Sequence, residues 1–196
     1  MAPYNPGVFQ TIFHPSAIAV VGISSDENSM GATYVSSLLK AGFPGPIYPV
    51  GLRGGQLFGL KVYASIGALP AGADYAIICV AASQVPAVIE ELGAKGVRAA
   101  QIYSAGFSES GKEEGRHLEM ELVSRARQAG VRLVGPNCIG VSCTRSHLPY
   151  GGAGRVGEPG PVAFLSQSGG IAGDMEQEGL KRGLRFSKLV SFGNGS

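Results

Sequence analysis

The sequence predicts an α/β protein: a doubly wound parallel sheet followed by the start of a second α/β unit. Three observations carry this. Short β-rich runs alternate with segments of helical period. Most of these runs are continuously apolar, which suits strands covered on both faces. A block dense in Gly and Pro then interrupts the chain, and a strand–helix–strand pattern starts again behind it.

In order, the expected strands are Ala17–Gly22 (AIAVVG), Pro46–Val50 (PIYPV), Tyr75–Ala81 (YAIICVA), Ala99–Ser104 (AAQIYS) and Val131–Gly135 (VRLVG). Between the third and fourth, Val85, Val88, Ile89 and Leu92 fall on one face of a helix, with Ser83 as the expected cap. Between the fourth and fifth, Leu118, Leu122, Ala126 and Ala129 recur about once per turn, while Glu121 and Arg125 are spaced as an i,i+4 pair on a solvated face. The block PYGGAGRVGEPGP makes residues 149–161 a linker between a first domain, 1–148, and a second unit, 162–196. That unit reads as strand Val162–Leu165, a helix from about Ser168 to Arg182, and strand Leu189–Phe192. A βαβ piece of about 35 residues cannot bury enough surface to fold alone. It either packs on the first domain or begins a larger one.

Composition excludes several function classes. The chain has 196 residues, 44% hydrophobic, with a formal net charge of +2. Its basic residues are scattered, so the charge pattern does not call for nucleic acid. No apolar run approaches the roughly 18 residues of a membrane span, and the N-terminus lacks a charged region followed by an apolar one, so a cytoplasmic protein is expected. Cys79, Cys138 and Cys143 form no Cys-x-x-Cys pair and have no ligand-spaced histidine, so they read as reduced thiols, Cys79 within a strand, and no metal site is expected. His14, His117 and His147 read as structural or exposed.

Two stretches suggest anion binding. The first expected strand runs into Gly22-Ile23-Ser24-Ser25-Asp26-Glu27-Asn28-Ser29-Met30-Gly31, a loop of small residues leading to a helix N-terminus, where a doubly wound sheet places its ligand. It lacks Gly-x-Gly-x-x-Gly, and Asp26 and Glu27 partly oppose an anion. After the second strand, Arg53 is placed to meet a phosphate, whether the 2′-phosphate of NADP or the 3′-phosphate of coenzyme A. In the second unit, FLSQSGGIAGD brings Ser166, Gln167, Ser168, Gly169 and Gly170 to the start of a helix. Such a start offers up to four unpaired N–H groups and about half a positive charge. It also reads as an ordinary cap at Ser168, as Ser24 and Ser25 read as a turn. Glu109, Glu113 and Glu114 read as complements to a helix start.

The ordered set AIAVVGIS, GFPGPIYPV, FGLKVYASIGALP, DYAIICVAA, SAGFSESG, GPNCIG and FLSQSGG resembles the CoA-binding region of the NDP-forming acyl-CoA synthetases, a group similar to the succinyl-CoA synthetase α subunit. The resemblance runs from about Phe13 to Asn194 and implies a Rossmann-like first domain followed by the start of a flavodoxin-like ligase domain. It implies that Gly22, Ser24 and Ser25 approach the phosphates of coenzyme A, and that Val50, Gly51 and Arg53 border its adenine-nucleotide end. This chain has Gly51-Leu52 where the family usually has Asn-Pro, which departs from the family's adenosine contacts. Val80, Ala81 and Ala82 match a Val-Pro-Ala stretch beside the pantetheine, without its proline. Ser104, Ala105 and Gly106 fall beside the same arm, and Asn137 and Cys138 near the thiol. Cys138 also reads as inert packing.

The resemblance further implies that Ser166–Gly170 faces a phosphohistidine lying beyond residue 196, in a sequence that uses acyl phosphate, phosphohistidine and CoA in turn. ATP or ADP enters only through an ATP-grasp domain or subunit outside these residues, and an acyl substrate is the other small-molecule partner. No catalytic residue is then expected in this chain, and a homo-oligomer is compatible with it. Losing a nucleophile costs on the order of a millionfold in rate, so the chain alone is expected to be inert. Two other readings share its features: an NADP-binding oxidoreductase domain and a non-catalytic CoA-responsive regulator.

Overall fold

A strand that is apolar at every position needs a cover on both faces, and the arrangement of helices follows from that need. The computed structural model describes residues 6–152 and 156–196. Along it come α1 (Pro6–Phe13), β1 (Ile18–Val21), α2 (Met30–Ala41), β2 (Ile47–Val50), β3 (Gly55–Leu57) and β4 (Leu60–Val62). There follow β5 (Tyr75–Ile78), α3 (Val85–Ala94), β6 (Ala99–Ile102), α4 (Glu113–Ala129), β7 (Arg132–Val134) and β8 (Gly140–Cys143). The last three elements are β9 (Val162–Ser166), α5 (Gly169–Lys181) and β10 (Phe186–Ser191).

Five strands form a parallel sheet in the order β2-β1-β5-β6-β7, so the order reverses between β1 and β5. Successive residues of each strand serve opposite faces. Ala19, Val21, Ile78 and Ile102 pack with Ile89 of α3 and Leu122 of α4. Ile18, Val20 and Ile77 pack with Ile12 of α1 and Val35 and Leu38 of α2. The sheet is therefore doubly wound, as its sequence predicts.

The helix ends follow local chemistry. Ser29 caps α2, accepting from Ala32 N at 3.4 Å, and Gly42 closes the helix in the left-handed region. Ser83 does not cap α3: it lies in a short 3-10 turn, Ala82–Gln84, and the cap position is Gln84, whose side chain makes no capping bond. Pro86 stands in the first turn of α3 and has no N–H to satisfy, which lowers the need for a cap. Along α4, Arg125 meets Glu121 at 2.6 Å, and it also reaches Glu90 of α3 at 2.8 Å.

A second sheet has the order β8-β10-β9, with β8 antiparallel and β9 parallel to β10. Strand β8 lies before residue 148, yet its hydrogen bonds go to β10. Strand β10 begins at Phe186, earlier than the expected Leu189, because Phe186 already pairs with Val162 and is buried. Cys79 follows the last residue of β5 and is half-buried, outside the strand proper. The expected linker 149–161 includes Ala153–Arg155, which lie outside the described residues; before them, Pro149 and Tyr150 are buried. Helix α1, the β3–β4 hairpin and β8 had no counterpart in the sequence reading. Strands β3 (GQL), β4 (LKV) and β8 (GVSC) mix glycine or polar residues with apolar ones, and the hairpin turns through Phe58 and Gly59, both at positive φ.

The two sheets meet around the backbone of residues 139–141. Ile139 O accepts from Tyr34 Oη at 2.8 Å and from Gln101 Nε2 at 3.2 Å. Ile139 N and Gly140 N both donate to Ser191 Oγ, at 2.9 and 3.0 Å. Gln101 Oε1 accepts from Tyr75 Oη at 2.9 Å and from Val141 N at 3.3 Å. Ser191 is fully buried, so Ser191→Ala leaves two amides without their acceptor. The expected loss is about 2–3 kcal/mol, read as a lower urea midpoint at unchanged slope, and an unchanged midpoint contradicts this role.

The histidines anchor loops or sit on the surface. His147 Nδ1 is hydrogen-bonded to Ala41 O at 2.9 Å, and His117 lies 3.9 Å from Glu113 on the exposed side of α4. His14 Nδ1 pairs with Ser146 Oγ, whose other partner is Cys143 Sγ. Burial, then the positive charges of Lys188 and Arg145, hold the His14 imidazole below its usual 6.5. The unfolded chain takes up that proton more readily, so this contribution to stability is complete above pH 6.5 and declines as the pH falls below it. Urea midpoints measured from pH 7.5 to 5.5 are expected to fall more steeply in the parent than in His14→Gln, and parallel curves contradict the assignment.

Candidate functional site

All five strands of the main sheet run the same way, so their carboxyl ends and the loops that follow lie along one edge. Two adjoining hollows open there. The smaller, about 530 Å³, is lined by Ser24, Ser25 and Glu27 from the β1–α2 loop and by Arg53 and Gln56 after β2. The larger, about 670 Å³, lies between Gly22, Val50, Val80, Ser83 and Gln84. Ile23, Gly51 and Leu52 belong to both, which makes them one continuous cleft at the point where the strand order reverses.

Two glycines allow this close approach of loops. Gly22 has φ 109°, and a Cβ on it would lie 2.5 Å from Cys79 O. A Cβ on Gly51 would lie 2.3 Å from Ile23 O. The backbone also uses some of the expected donors. Gly22 N and Ile23 N both donate to Val50 O, at 3.0 and 2.9 Å. Ser24 Oγ accepts from Asp26 N at 3.2 Å within its own turn, while the N–H groups of Ser24 and Ser25 have no partner among the described residues. Val50 is buried, and Arg53 and Leu52 are exposed at the mouth, Leu52 at 91%. Arg53 supplies positive charge to the smaller hollow and Glu27 opposes it.

The neighbouring strand ends are tied to one another. Ser104 Oγ donates to Val80 O, and Asn137 N donates to Ser104 O at 3.0 Å. A Cβ on Gly106 would stand 3.4 Å from Ala82 Cβ. Val80, which lines the larger hollow, is thus tied through Ser104 to Asn137, and Gly106 stands against Ala82 on the neighbouring strand ends, with Ala81 and Ala105 between them in sequence. Cys138 is different: its thiol is buried and donates to Val134 O at 3.4 Å and Ile102 O at 3.5 Å. Burial pushes this thiol up to about 12, against which the hydrogen bonds at Ile102 and Gly140 act weakly. Burial, with Cys138 nearby, raises Cys79 to about 12 as well.

At the start of α5, Ser168 is the N-cap and accepts from Ile171 N at 3.3 Å, and Ser168 N donates to Ser166 Oγ at 3.1 Å. Gln167 is exposed, and its carbonyl accepts from Gly193 N at 3.2 Å. Gly169 packs against Ile139, where a Cβ would fall 2.7 Å away, and its carbonyl accepts from Tyr150 Oη at 3.0 Å. The hydroxyls of Ser166 and Ser168 therefore shape the turn, and the N–H groups of Gly169 and Gly170 have no partner among the described residues.

Glu109 stands at a helix start, though of a short 3-10 helix just before α4. It lies in a 3-10 turn, Ser108–Ser110, and accepts from Gly106 N and Phe107 N; Glu113 and Glu114 do occupy the first turn of α4. Sequence reasoning missed Glu119 and Asn194, which meet Glu109 in space, and Gln101, whose position in an apolar strand was the one available signal. No histidine lines either hollow. Among the described residues no group of three His, Cys, Asp or Glu is placed to hold a metal, and no helix is long and apolar enough to cross a membrane.

Residues 16–144 match the CoA binding domain family. The α subunit of ADP-forming acetate–CoA ligase I from Pyrococcus furiosus is 38% identical over 189 residues, covering 94% of this chain and 41% of that protein. ADP-forming acetate–CoA ligase I from Archaeoglobus fulgidus is 40% identical over 185 residues, covering 94% of this chain and 27% of its own length. The solved structure of a dinucleotide-forming acetyl-coenzyme A synthetase 1 from Ca. Korarchaeum cryptofilum superposes with a TM-score of 0.89 at 36% identity, over 95% of this chain and 40% of that one. This chain spans less than half the length of these relatives.

The buried state of Cys138 has a direct readout. Iodoacetamide at neutral pH is expected to leave Cys138 unmodified in the native chain and to alkylate it in denaturant, as seen by peptide mass. Fast native alkylation contradicts the burial that raises its pKa.

Proposed function

The chain belongs to the CoA binding domain family, and on that premise we propose that it is the coenzyme A-holding portion of an NDP-forming acid–thiol ligase. The parent protein, on this reading, makes an acyl-CoA from a carboxylic acid, CoA and ATP by way of acyl phosphate and a phosphohistidine. The observation that carries the reading is the single cleft at the strand-order reversal. It has free amides and a cation at one end and a mostly apolar wall at the other.

That polarity matches the ligand. Arg53 and the N–H groups of Ser24 and Ser25 suit phosphate oxygens, since charge-assisted and oriented amide bonds favour an anion. Gly22, Val50 and Gly51 shape the floor, with their polar backbone largely satisfied, so they set width and not charge. Val80, Ala81 and Ala82 give an apolar side for the pantetheine arm, and Ser104 and Gly106 continue it toward Asn137. Cys138 supports that rim from inside by packing, with its thiol engaged by backbone carbonyls. The thiol of the cofactor is the nucleophile of the acyl transfer, which leaves no protein thiol a part in it.

The turn Ser166–Gly170 is the proposed seat of a phosphoryl group. Its two free glycine amides lie at the start of a 13-residue helix, whose dipole favours a dianion. The division into residues 1–148, 149–161 and 162–196 is kept as the proposed functional organisation. The phosphohistidine, the ATP-grasp domain or subunit and the acid-recognising residues are assigned to the rest of a cytoplasmic parent protein, and the chain alone is inactive.

Calorimetric titration of this chain with CoA, with NADPH as comparator, tests the reading. Saturable CoA binding with NADPH silent is expected, and Arg53→Ala is expected to weaken CoA about tenfold, or ~1.4 kcal/mol. NADPH binding in preference to CoA overturns it in favour of an oxidoreductase domain.

A further inference from the structure

The turn after β10 reaches back across the carboxyl edge of the parallel sheet. Asn194 N donates to Pro136 O at 3.0 Å, and Ser196 N donates to Gly135 O at 3.2 Å. The Asn194 side chain goes further: Nδ2 donates to Glu109 Oε2 at 2.6 Å, Glu119 Oε2 at 2.7 Å and Ser108 Oγ at 3.2 Å. Two N–H bonds serve three acceptors, two of them carboxylates. Those carboxylates also hold three consecutive amides. Glu109 Oε1 accepts from Gly106 N at 2.5 Å and Phe107 N at 3.1 Å, and Glu119 Oε2 accepts from Ser108 N at 3.0 Å.

Burial pushes both carboxyls up, but hydrogen bonds outweigh it and leave both below the usual carboxylate range. For Glu109 the bonds come from Asn194 and the Gly106 and Phe107 amides; for Glu119 they come from Ser108, Ser196 and Asn194. Both groups are therefore ionised at neutral pH, and Asn194 is the neutral donor that lets two like charges sit together. The loop they fix carries Gly106, which faces Ala82 on the cofactor rim.

We propose that Asn194 is a positioning residue of the cofactor site: by clasping Glu109 and Glu119 it holds the Gly106–Ser108 loop against Ala82, along the path of the pantetheine arm. This rests on the CoA reading above. Asn194 touches no ligand itself. It makes the cofactor site bipartite, because a turn of the second unit sets the shape of a wall in the first.

The test compares two ligands on the same chain: CoA, and adenosine 3′,5′-bisphosphate, which lacks the pantetheine. Asn194→Ala is expected to weaken CoA about tenfold, the scale of one charge-assisted hydrogen bond, while the bisphosphate changes less than about twofold. Asn194→Asp places a third carboxylate in the clasp and is expected to lose more CoA affinity than Asn194→Ala, and adding Glu109→Gln to it restores part of the loss. Arg53→Ala, in contrast, weakens both ligands. If both Asn194 variants bind CoA as the parent does, or lose both ligands by the same factor, the proposal is overturned. A parent chain silent to CoA removes the cofactor reading itself, a separate outcome from a parent that binds CoA and variants that do so unchanged.

Discussion

The peptide joining Ile139 to Gly140 is the constraint on which the rest of this molecule depends. It sits where two sheets of different direction meet, away from water, and its polar groups must find partners there or cost about 1–3 kcal/mol each. Tyr34 comes from α2, Gln101 from β6 and Ser191 from β10, so three distant stretches of chain converge on it. With every buried side-chain polar atom among the described residues paired, the network permits one arrangement of the two sheets and disfavours others. Helix α5 inherits that arrangement, since Gly169 packs on Ile139 and Tyr150 holds the Gly169 carbonyl.

The cleft is a second consequence of strand direction. Five parallel strands deliver five loops to one edge, and the reversal between β1 and β5 leaves a gap there that side chains do not fill. Its chemistry is graded along its length. Arg53 and the free amides of Ser24 and Ser25 lie at one end, and a wall that includes Val50, Ile66, Val80 and Val88 lies at the other, so its two ends differ in charge and polarity. The Cys138 thiol is buried and engaged by backbone carbonyls, so the GPNCIG motif is structural around it, while the half-buried Cys79 borders the larger hollow.

The second unit and the first support each other. β8 leaves the loop after β7 and becomes an edge of the small sheet, and the 192–196 turn returns to the loops after β6 and β7. A βαβ piece of this size has too little core to stand by itself, and these shared hydrogen bonds and contacts replace the missing partner surface.

The five parallel strands were legible in the sequence as short apolar runs, helices α3 and α4 by the spacing of their apolar faces and α5 by its start at Ser168, whereas of α2 only a helix start after the Gly22–Gly31 loop was legible. The loops that carry Ser24, Arg53 and Ser166–Gly170 were legible as loops because they follow strands, and the structure gives Ser24 the turn and Ser168 the cap that the sequence also reads there. Other features came only from tertiary structure. Strands β3, β4 and β8 mix glycine or polar residues with apolar ones and give no apolar run, and the pairing of β8 with β10 joins positions some fifty residues apart. The convergence of Tyr34, Gln101 and Ser191 on Ile139 and Gly140 and the meeting of Asn194 with Glu109 and Glu119 are facts of three-dimensional proximity. Local sequence sets which groups can donate, accept or ionise, and only the packed chain decides which of them have already spent that capacity on one another.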